Sequence, residues 1–280
     1  MKFKITQLVF MLCINVTFAQ TIDKSKRELT AKPNPPAQSS GQTTTTQKST
    51  STNNSSSSFA SEAGAEVFLF LFKISLGAAY YGGIGDYQNE NQLYNNLTTA
   101  PYTYGNTGNY SSRDSVLKKN IRIDVENSFL YKKNLFGNHL KVKIRPSKYF
   151  YFQTDFHQLF ELDPFTDKYD QLPIYQINFC YDRLRLDKFN LGWTLGATYI
   201  GDEVKKTGFS YGLNFEYFLE SKISFFGGAK WSTINQKPVN FYELQGRFHQ
   251  KSHYFSLGLE HHKIASPTYN FISLGAGIYF

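Results

Sequence analysis

From Asn120 to Phe280, bulky apolar and polar residues alternate through successive runs of ten or more residues, and short turn signals separate the runs. A period of two puts successive side chains on opposite faces of a strand. The pattern predicts ten strands, near 120–132, 138–146, 149–161, 172–183, 188–201, 207–219, 222–234, 239–250, 252–264 and 269–280. The breaks include Asn134 to Asn138, Pro146-Ser147-Lys148, Asp187-Lys188, Glu220-Ser221-Lys222 and Ser266-Pro267. No helical period of 3.6 lies between the runs, so the strands read as an antiparallel meander rather than a β/α fold.

The two faces differ sharply. One carries Ile121, Ile123, Val125, Phe129, Leu140, Val142, Ile144, Phe152, Phe156, Tyr175, Ile177, Phe179, Tyr181, Trp193, Leu195, Phe209, Tyr211, Leu213, Phe215 and Tyr217, continued by Phe225, Trp231, Leu257 and Leu259. The other carries positive Arg122, Lys141, Lys143, Arg145, Lys230 and Arg247, and negative Asp124, Glu126, Asp155, Asp182, Glu216, Glu243 and Glu260, with His157 among them. Two all-β architectures give this alternation: a soluble barrel or sandwich with the apolar face inside, or a membrane barrel with lipid outside and a polar lumen. The aromatic density of the apolar face favours the membrane version. So do the small residues of the polar face, among them Gly192, Gly196, Gly212, Gly228, Gly258, Gly275 and Gly277, which suit a narrow filled lumen.

Residues 1–19 read as a secretory signal peptide: Lys2 and Lys4, an apolar run from Leu8 to Val16, then Thr17-Phe18-Ala19. Its removal takes two lysines from a net charge of +8, leaving +6, and takes Cys13, leaving Cys180 without an intramolecular disulfide partner. Residues 20–65 are a Ser/Thr-rich tract, expected to be a disordered linker because it offers little to bury. Residues 66–119 comprise an apolar segment, Val67 to Tyr81, and a Tyr/Asn/Gly-rich loop. The apolar segment is short for a spanning helix, and period alone does not settle its form. The barrel is assigned to 120–280, because an even strand count suits a bacterial barrel.

The last run, NFISLGAGIYF, carries Ile272, Leu274, Ala276, Ile278 and Phe280 on its apolar face. It resembles the terminal strand of Gram-negative outer-membrane β-barrels, which ends on an aromatic residue. The resemblance implies an outer-membrane location, recognition of this strand by the barrel-insertion machinery, and closure of the last strand on the first. It names an architecture and no activity.

Six positive and seven negative lumenal charges nearly balance, so an ion-paired network is expected to fill the lumen; a ring of one sign would point to a selective pore. Asp155 and His157 share a face, with Ser224 or Ser256 as possible partners, but a catalytic triad is a matter of geometry. Glu260 and His262 share a face while His261 faces away, and no full metal set can be assembled. Asp163, Asp167 and Asp170 lack the spacing of a calcium loop. No phosphate-cradling glycine motif and no nucleic-acid module is present, and no cofactor is expected. The expected role is a non-enzymatic outer-membrane barrel with a structural or partner-binding function, contacting lipid through its wall and an envelope partner through residues 20–119. A small-solute channel, an outer-membrane hydrolase and a soluble barrel for an apolar ligand are the alternatives.

Overall fold

The computed structural model describes residues 21–32, 77, 80–86, 90, 92, 95–113, 121–162 and 169–280. A short ladder pairs β1 (Asn96–Leu97) with β2 (Tyr110–Ser111). Ten long strands follow: β3 (Arg122–Lys132), β4 (Leu135–Arg145), β5 (Phe150–Leu162), β6 (Tyr169–Arg185), β7 (Phe189–Ile200), β8 (Lys206–Phe218), β9 (Ile223–Ile234), β10 (Lys237–Gln250), β11 (His253–Ile264) and β12 (Thr268–Tyr279). Each pairs antiparallel with its neighbours in sequence, and β12 pairs with β3 to close the barrel. This is the ten-strand transmembrane meander that the alternation predicts.

Tight turns hold the register. At the β9–β10 hairpin Ile234 pairs with Lys237 across Asn235 and Gln236, both at positive φ (52° and 63°). That is the mirror-image turn whose twist matches antiparallel strands. Closure continues to the last residue: the amide of Phe280 donates to Ile123 O at 2.8 Å, and the amide of Ile123 returns the bond at 3.3 Å. In lipid an unpaired edge would leave each backbone group unsatisfied at a cost of several kcal/mol.

The barrel is inside out relative to a soluble one. Ile177 is 65 % and Leu274 63 % exposed on the outer wall, whereas Arg122 and Lys141 inside are 0 % and 1 % exposed. Aliphatic residues such as Ile177, Leu195, Leu213 and Leu274 occupy the middle of the wall. Aromatic groups flank them: Phe150 stacked on Phe179 and Tyr181 on Trp193 toward one end, Tyr175 beside Tyr199 and Tyr211 beside Trp231 toward the other. An apolar band between aromatic girdles is the surface a bilayer requires, and water would not tolerate it. The soluble reading is therefore set aside.

Call the mouth where β3 begins and β12 ends the proximal mouth, and the opposite one the far mouth. The composition of residues 20–65 predicts disorder throughout, yet Thr21–Thr30 form a helix, α1, seated in the far mouth. Ile22, Ser25, Lys26 and Leu29 are buried, a spacing of three, one and three that makes one helical face. Ile22 and Leu29 join a ring of inward apolar side chains including Leu130, Leu159, Ile174, Ile200, Ile264 and Phe271. The Glu161 carboxylate accepts from the Thr21 amide (3.1 Å) and the Ile22 amide (2.7 Å), supplying acceptors for N–H groups that have none within the helix. A ten-residue helix is marginal on its own, so docking holds it. Most of Val67 to Tyr81, the rest of the Ser/Thr-rich tract, and Asp163 and Asp167 lie outside the described residues.

Candidate functional site in the lumen

The charged residues that alternation places on the inner face meet one another across the lumen. Near the proximal mouth Arg122 Nε donates to Asp124 (2.7 Å), Arg145 to Asp124 (3.2 Å) and to Asp182 (2.8 Å). In the next layer Arg247 bridges Glu126 (2.7 Å) and Glu216 (3.0 Å). Deeper still, Lys141 donates to Glu243 (2.7 Å) and Lys230 to Asp155 (2.5 Å). Arg122–Asp124 lies within β3 and Arg145–Asp124 joins the neighbouring β3 and β4, whereas Arg145–Asp182, Arg247–Glu126, Arg247–Glu216, Lys141–Glu243 and Lys230–Asp155 join strands that are not neighbours, so the network ties separate parts of the wall together. Taking so many charges out of water is costly, and the paired geometry offsets that cost.

Lys143 departs from the expected pairing. Among the described residues it has no carboxylate within 4 Å; its ammonium lies over the Phe226 ring, 4.8 Å from the centroid. Asp155 and His157 share a face, as their spacing requires, but do not pair. Asp155 is held by Lys230, by His139 (3.2 Å) and by the Gln153 amide (2.9 Å). Ser224 instead meets His249 Nε2 at 2.8 Å, a pair the sequence gives no reason to single out.

Residues from the loop before the barrel close the proximal mouth. Arg183, at the bulge between Asp182 and Leu184, follows Phe179 and Tyr181 on the outer side, where its guanidinium clasps Glu90 through two bonds of 2.6 Å and takes the carbonyl of Tyr81. That clasp holds the Glu90 carboxyl below the usual carboxylate range. The Trp193 indole donates to Gly83 O (2.9 Å). The chain then turns inward: Asn109 donates to Glu216 (2.8 Å) and accepts from Arg122 (2.8 Å), while Tyr110 donates to Asp182 (2.5 Å). Burial, reinforced by the Asp182 carboxylate, raises the Tyr110 phenol well above its ordinary value, so it remains a donor. Tyr102 donates to Ile223 O (2.5 Å) and covers His249.

At the far mouth Lys26 of α1 reaches Asp170 (2.5 Å) and Asp202 (2.9 Å). Burial works against its charge, but these two carboxylates prevail and raise its pKa. Ser25 Oγ lies 2.6 Å from the Tyr269 hydroxyl. Between the two closures the interior leaves cavities of about 10 Å³, each room for roughly one water molecule. Glycine is required at points of closest approach: a Cβ on Gly275 would overlap Ser128 and Ser256, and one on Gly277 would overlap Tyr254.

A second cluster lies between the charge network and the apolar ring. Glu260 has His139 Nδ1 at 3.1 Å, His262 Nε2 at 3.0 Å and His157 Nε2 at 3.8 Å. Sequence reasoning linked Glu260 to His262 only. The barrel adds His139 from β4 and His157 from β5, which stack ring on ring at 3.8 Å. His261 points outward to Asn270.

No family model matches the chain, and no curated protein matches it. Among solved structures it is similar to an outer membrane channel from Pseudomonas putida F1, at 9 % identity over 59 % of this chain and 97 % of that one, with a TM-score of 0.36. It is also similar to the Yersinia pestis outer membrane protein Ail in a phospholipid nanodisc, at 14 % identity over 57 % and 98 %, TM-score 0.32. LpxR from Salmonella typhimurium aligns at 8 % identity over 57 % and 99 %, TM-score 0.34. The assignment of this chain as an outer-membrane-type β-barrel rests on the strand pairing, the lipid-facing wall and the charged interior described above.

Proposed function

We propose that the chain is a sealed, non-enzymatic barrel of the outer membrane, exported by the signal peptide at 1–19, with a structural or partner-binding role in the cell envelope. The observation that carries this reading is closure at every level of the lumen. Gln92 and residues 95–111 fill the proximal mouth, the ion pairs cross-link the middle, and α1 with its apolar ring fills the far mouth. A conducting pore needs a continuous polar path, and the apolar ring interrupts it.

The hydrolase reading has less support. The Ser224–His249 pair lies beneath Tyr102, and among the described residues His249 Nδ1 has no partner to orient the imidazole as a base. With both barrel ends in the periplasm, as bacterial barrels have them, α1 would face the cell exterior and the Arg183–Glu90 strap the periplasm. Partner contacts are assigned to residues 20–119, the part of the mature chain not consumed in building the wall. The barrel-insertion machinery is the expected partner during assembly, through Ile272, Leu274, Ala276, Ile278 and Phe280.

The test is conductance of the mature chain in a planar bilayer, after heat-modifiable gel mobility has established folding. Silence supports the sealed barrel. Discrete conductance steps from the intact chain would overturn it and make the protein a pore.

A further inference from the structure

We propose that His139, His157, His262 and Glu260 form a lumenal binding site for one divalent ion of a late first-row transition metal, with Zn²⁺ as its reference ligand. The proposal concerns a site and its occupant, and it stands whether or not the barrel conducts.

Charge balance calls for one more positive charge there, which either a proton or a metal ion supplies. Three carboxylates, Asp155, Glu243 and Glu260, lie in this part of the lumen, with two ammonium groups against them. Lys230 is spent on Asp155 and Lys141 on Glu243. Among the described residues Glu260 has no lysine or arginine within 4 Å and has imidazoles as its ion-pair partners, although it is 2 % exposed. Without a metal, a second proton on His139, whose two nitrogens both face carboxylates, balances Glu260; an ion ligated by Glu260 and the imidazoles takes over that charge.

The donor chemistry fits. Imidazole nitrogens with a carboxylate are the ligands of zinc and its late first-row neighbours, not of calcium or magnesium, which take oxygen. One ligand atom each from His139, His157 and Glu260 lies within 4.8 Å of the others. A tetrahedral ion at about 2.0–2.1 Å from its ligands sets them roughly 3.4 Å apart. The widest of these separations must therefore close by about 1.4 Å, within the reach of side-chain rotations. A cavity of about 10 Å³ lies among His139, His157, Glu260 and His262, enough for one ion or one water.

The surroundings resemble those of a built site. Asp155 sits on His139 Nε2 (3.2 Å) and is itself pinned by Lys230, which leaves His139 Nδ1 turned toward Glu260. An outer carboxylate that fixes the tautomer and aim of a ligating imidazole is a recurrent feature of metal centres. His157 Nδ1 and His262 Nδ1 are buried with no hydrogen-bond partner among the described residues, so each ring retains donor capacity. Phe241 packs on His157 and His262, and Phe271 on His262, separating the site from the far mouth.

The experiment uses the full mature chain without an affinity tag, stripped with chelator in detergent and equilibrated with Zn²⁺ or Co²⁺. The expected result is one Zn²⁺ per folded chain and intense Co²⁺ d–d absorption of a four-coordinate nitrogen/oxygen site. His157→Ala and Glu260→Gln should each weaken binding by at least about tenfold to a hundredfold, while His261→Ala, on the outer wall, leaves it unchanged. Should a lumen variant fail to fold, the Co²⁺ spectrum and stoichiometry of the unaltered chain decide alone. Less than one-fifth of an equivalent bound to the folded chain, a six-coordinate oxygen-type spectrum, or binding retained in His157→Ala would each overturn the proposal.

Discussion

Replacing Ile22 and Leu29 together by alanine tests whether α1 is a built-in closure held by its apolar face. Both side chains are 0 % exposed, and both belong to the ring that includes Leu159, Ile174 and Phe271. Truncating a buried Ile or Leu to Ala costs roughly 2–5 kcal/mol. The two sites share neighbours, so their effects do not simply add, and about 5 kcal/mol for the pair is a fair working value. At about 1.4 kcal/mol per tenfold, the undocked population should rise by at least ~10³-fold. The polar contacts that remain are the Lys26 bridges to Asp170 and Asp202, the Ser25–Tyr269 contact and the Glu161 cap. They cannot hold a helix of ten residues that is marginal alone. Trypsin reads the change directly, because Lys24, Lys26 and Arg27 all lie in α1 and cleavage of a transiently opened segment follows its open population. Cleavage at these sites should accelerate by orders of magnitude while heat-modifiable mobility shows an intact barrel. Equal cleavage rates in the parent and double variant would refute the reasoning. So would a barrel that melts together with the helix, because α1 would then be part of the fold's nucleus rather than a closure.

Other predictions follow from the same geometry. Arg145→Met removes the cation shared by Asp124 and Asp182, leaving Asp124 to Arg122 and Asp182 to the Tyr110 hydroxyl, and should destabilise the barrel by about 3 kcal/mol, whereas Lys143→Met, at a site with no carboxylate within 4 Å among the described residues, should be neutral or mildly stabilising. Thermal melting in detergent ranks the two, and the opposite order sinks the pairing scheme. Glu90 is held below its ordinary pKa by Arg183, so the clasp contributes fully at neutral pH and is lost as pH falls through that depressed value, below the ordinary carboxylate range. In a Trp231→Phe background, Trp193 emission should report release of the strap in acid, and Glu90→Gln should abolish the transition; a transition that persists in Glu90→Gln excludes this carboxylate as its origin. Phe280→Asn should lower the yield of folded barrel in assisted membrane assembly more than it lowers the melting temperature of whatever does fold, because the Phe280 side chain is on the outer wall while its backbone bonds to Ile123 remain.

Much of the wall was legible because its signal is local. Alternation in stretches such as Arg122 to Phe129 or Phe209 to Tyr217 assigns faces from neighbouring residues alone, and ten such stretches imply ten strands whatever their partners. The expected strand limits depart from the observed ones by no more than three residues. The lumen was legible only as a list of residues. That Arg247 meets Glu126 and Glu216 depends on how closure staggers the strands, and no local period encodes that. His139 went unnoticed because it stands at the expected start of its strand, two residues before Lys141. Helix α1 was hidden because two apolar residues, Ile22 and Leu29, are a faint signal beside a long polar tract. A clue was present at the other side of that contact. Leu130, Leu159, Leu172, Ile174 and Ile264 break the polar side of the alternation at the same end of their strands. An apolar ring inside a polar lumen asks for something to cover it.

The sequence by itself determined the class of object: an all-β chain with an apolar face too extensive for water, a charged face too balanced for a selective ring, and a closing strand. These are properties of periodicity and composition, which survive without knowledge of any contact. Only the tertiary structure decided that described residues of the N-terminal region occupy both mouths, that Lys143 stands apart from the pairing, and that three imidazoles converge on Glu260. Those facts belong to side chains from opposite walls, brought within hydrogen-bonding distance when β12 pairs with β3 and the cylinder closes.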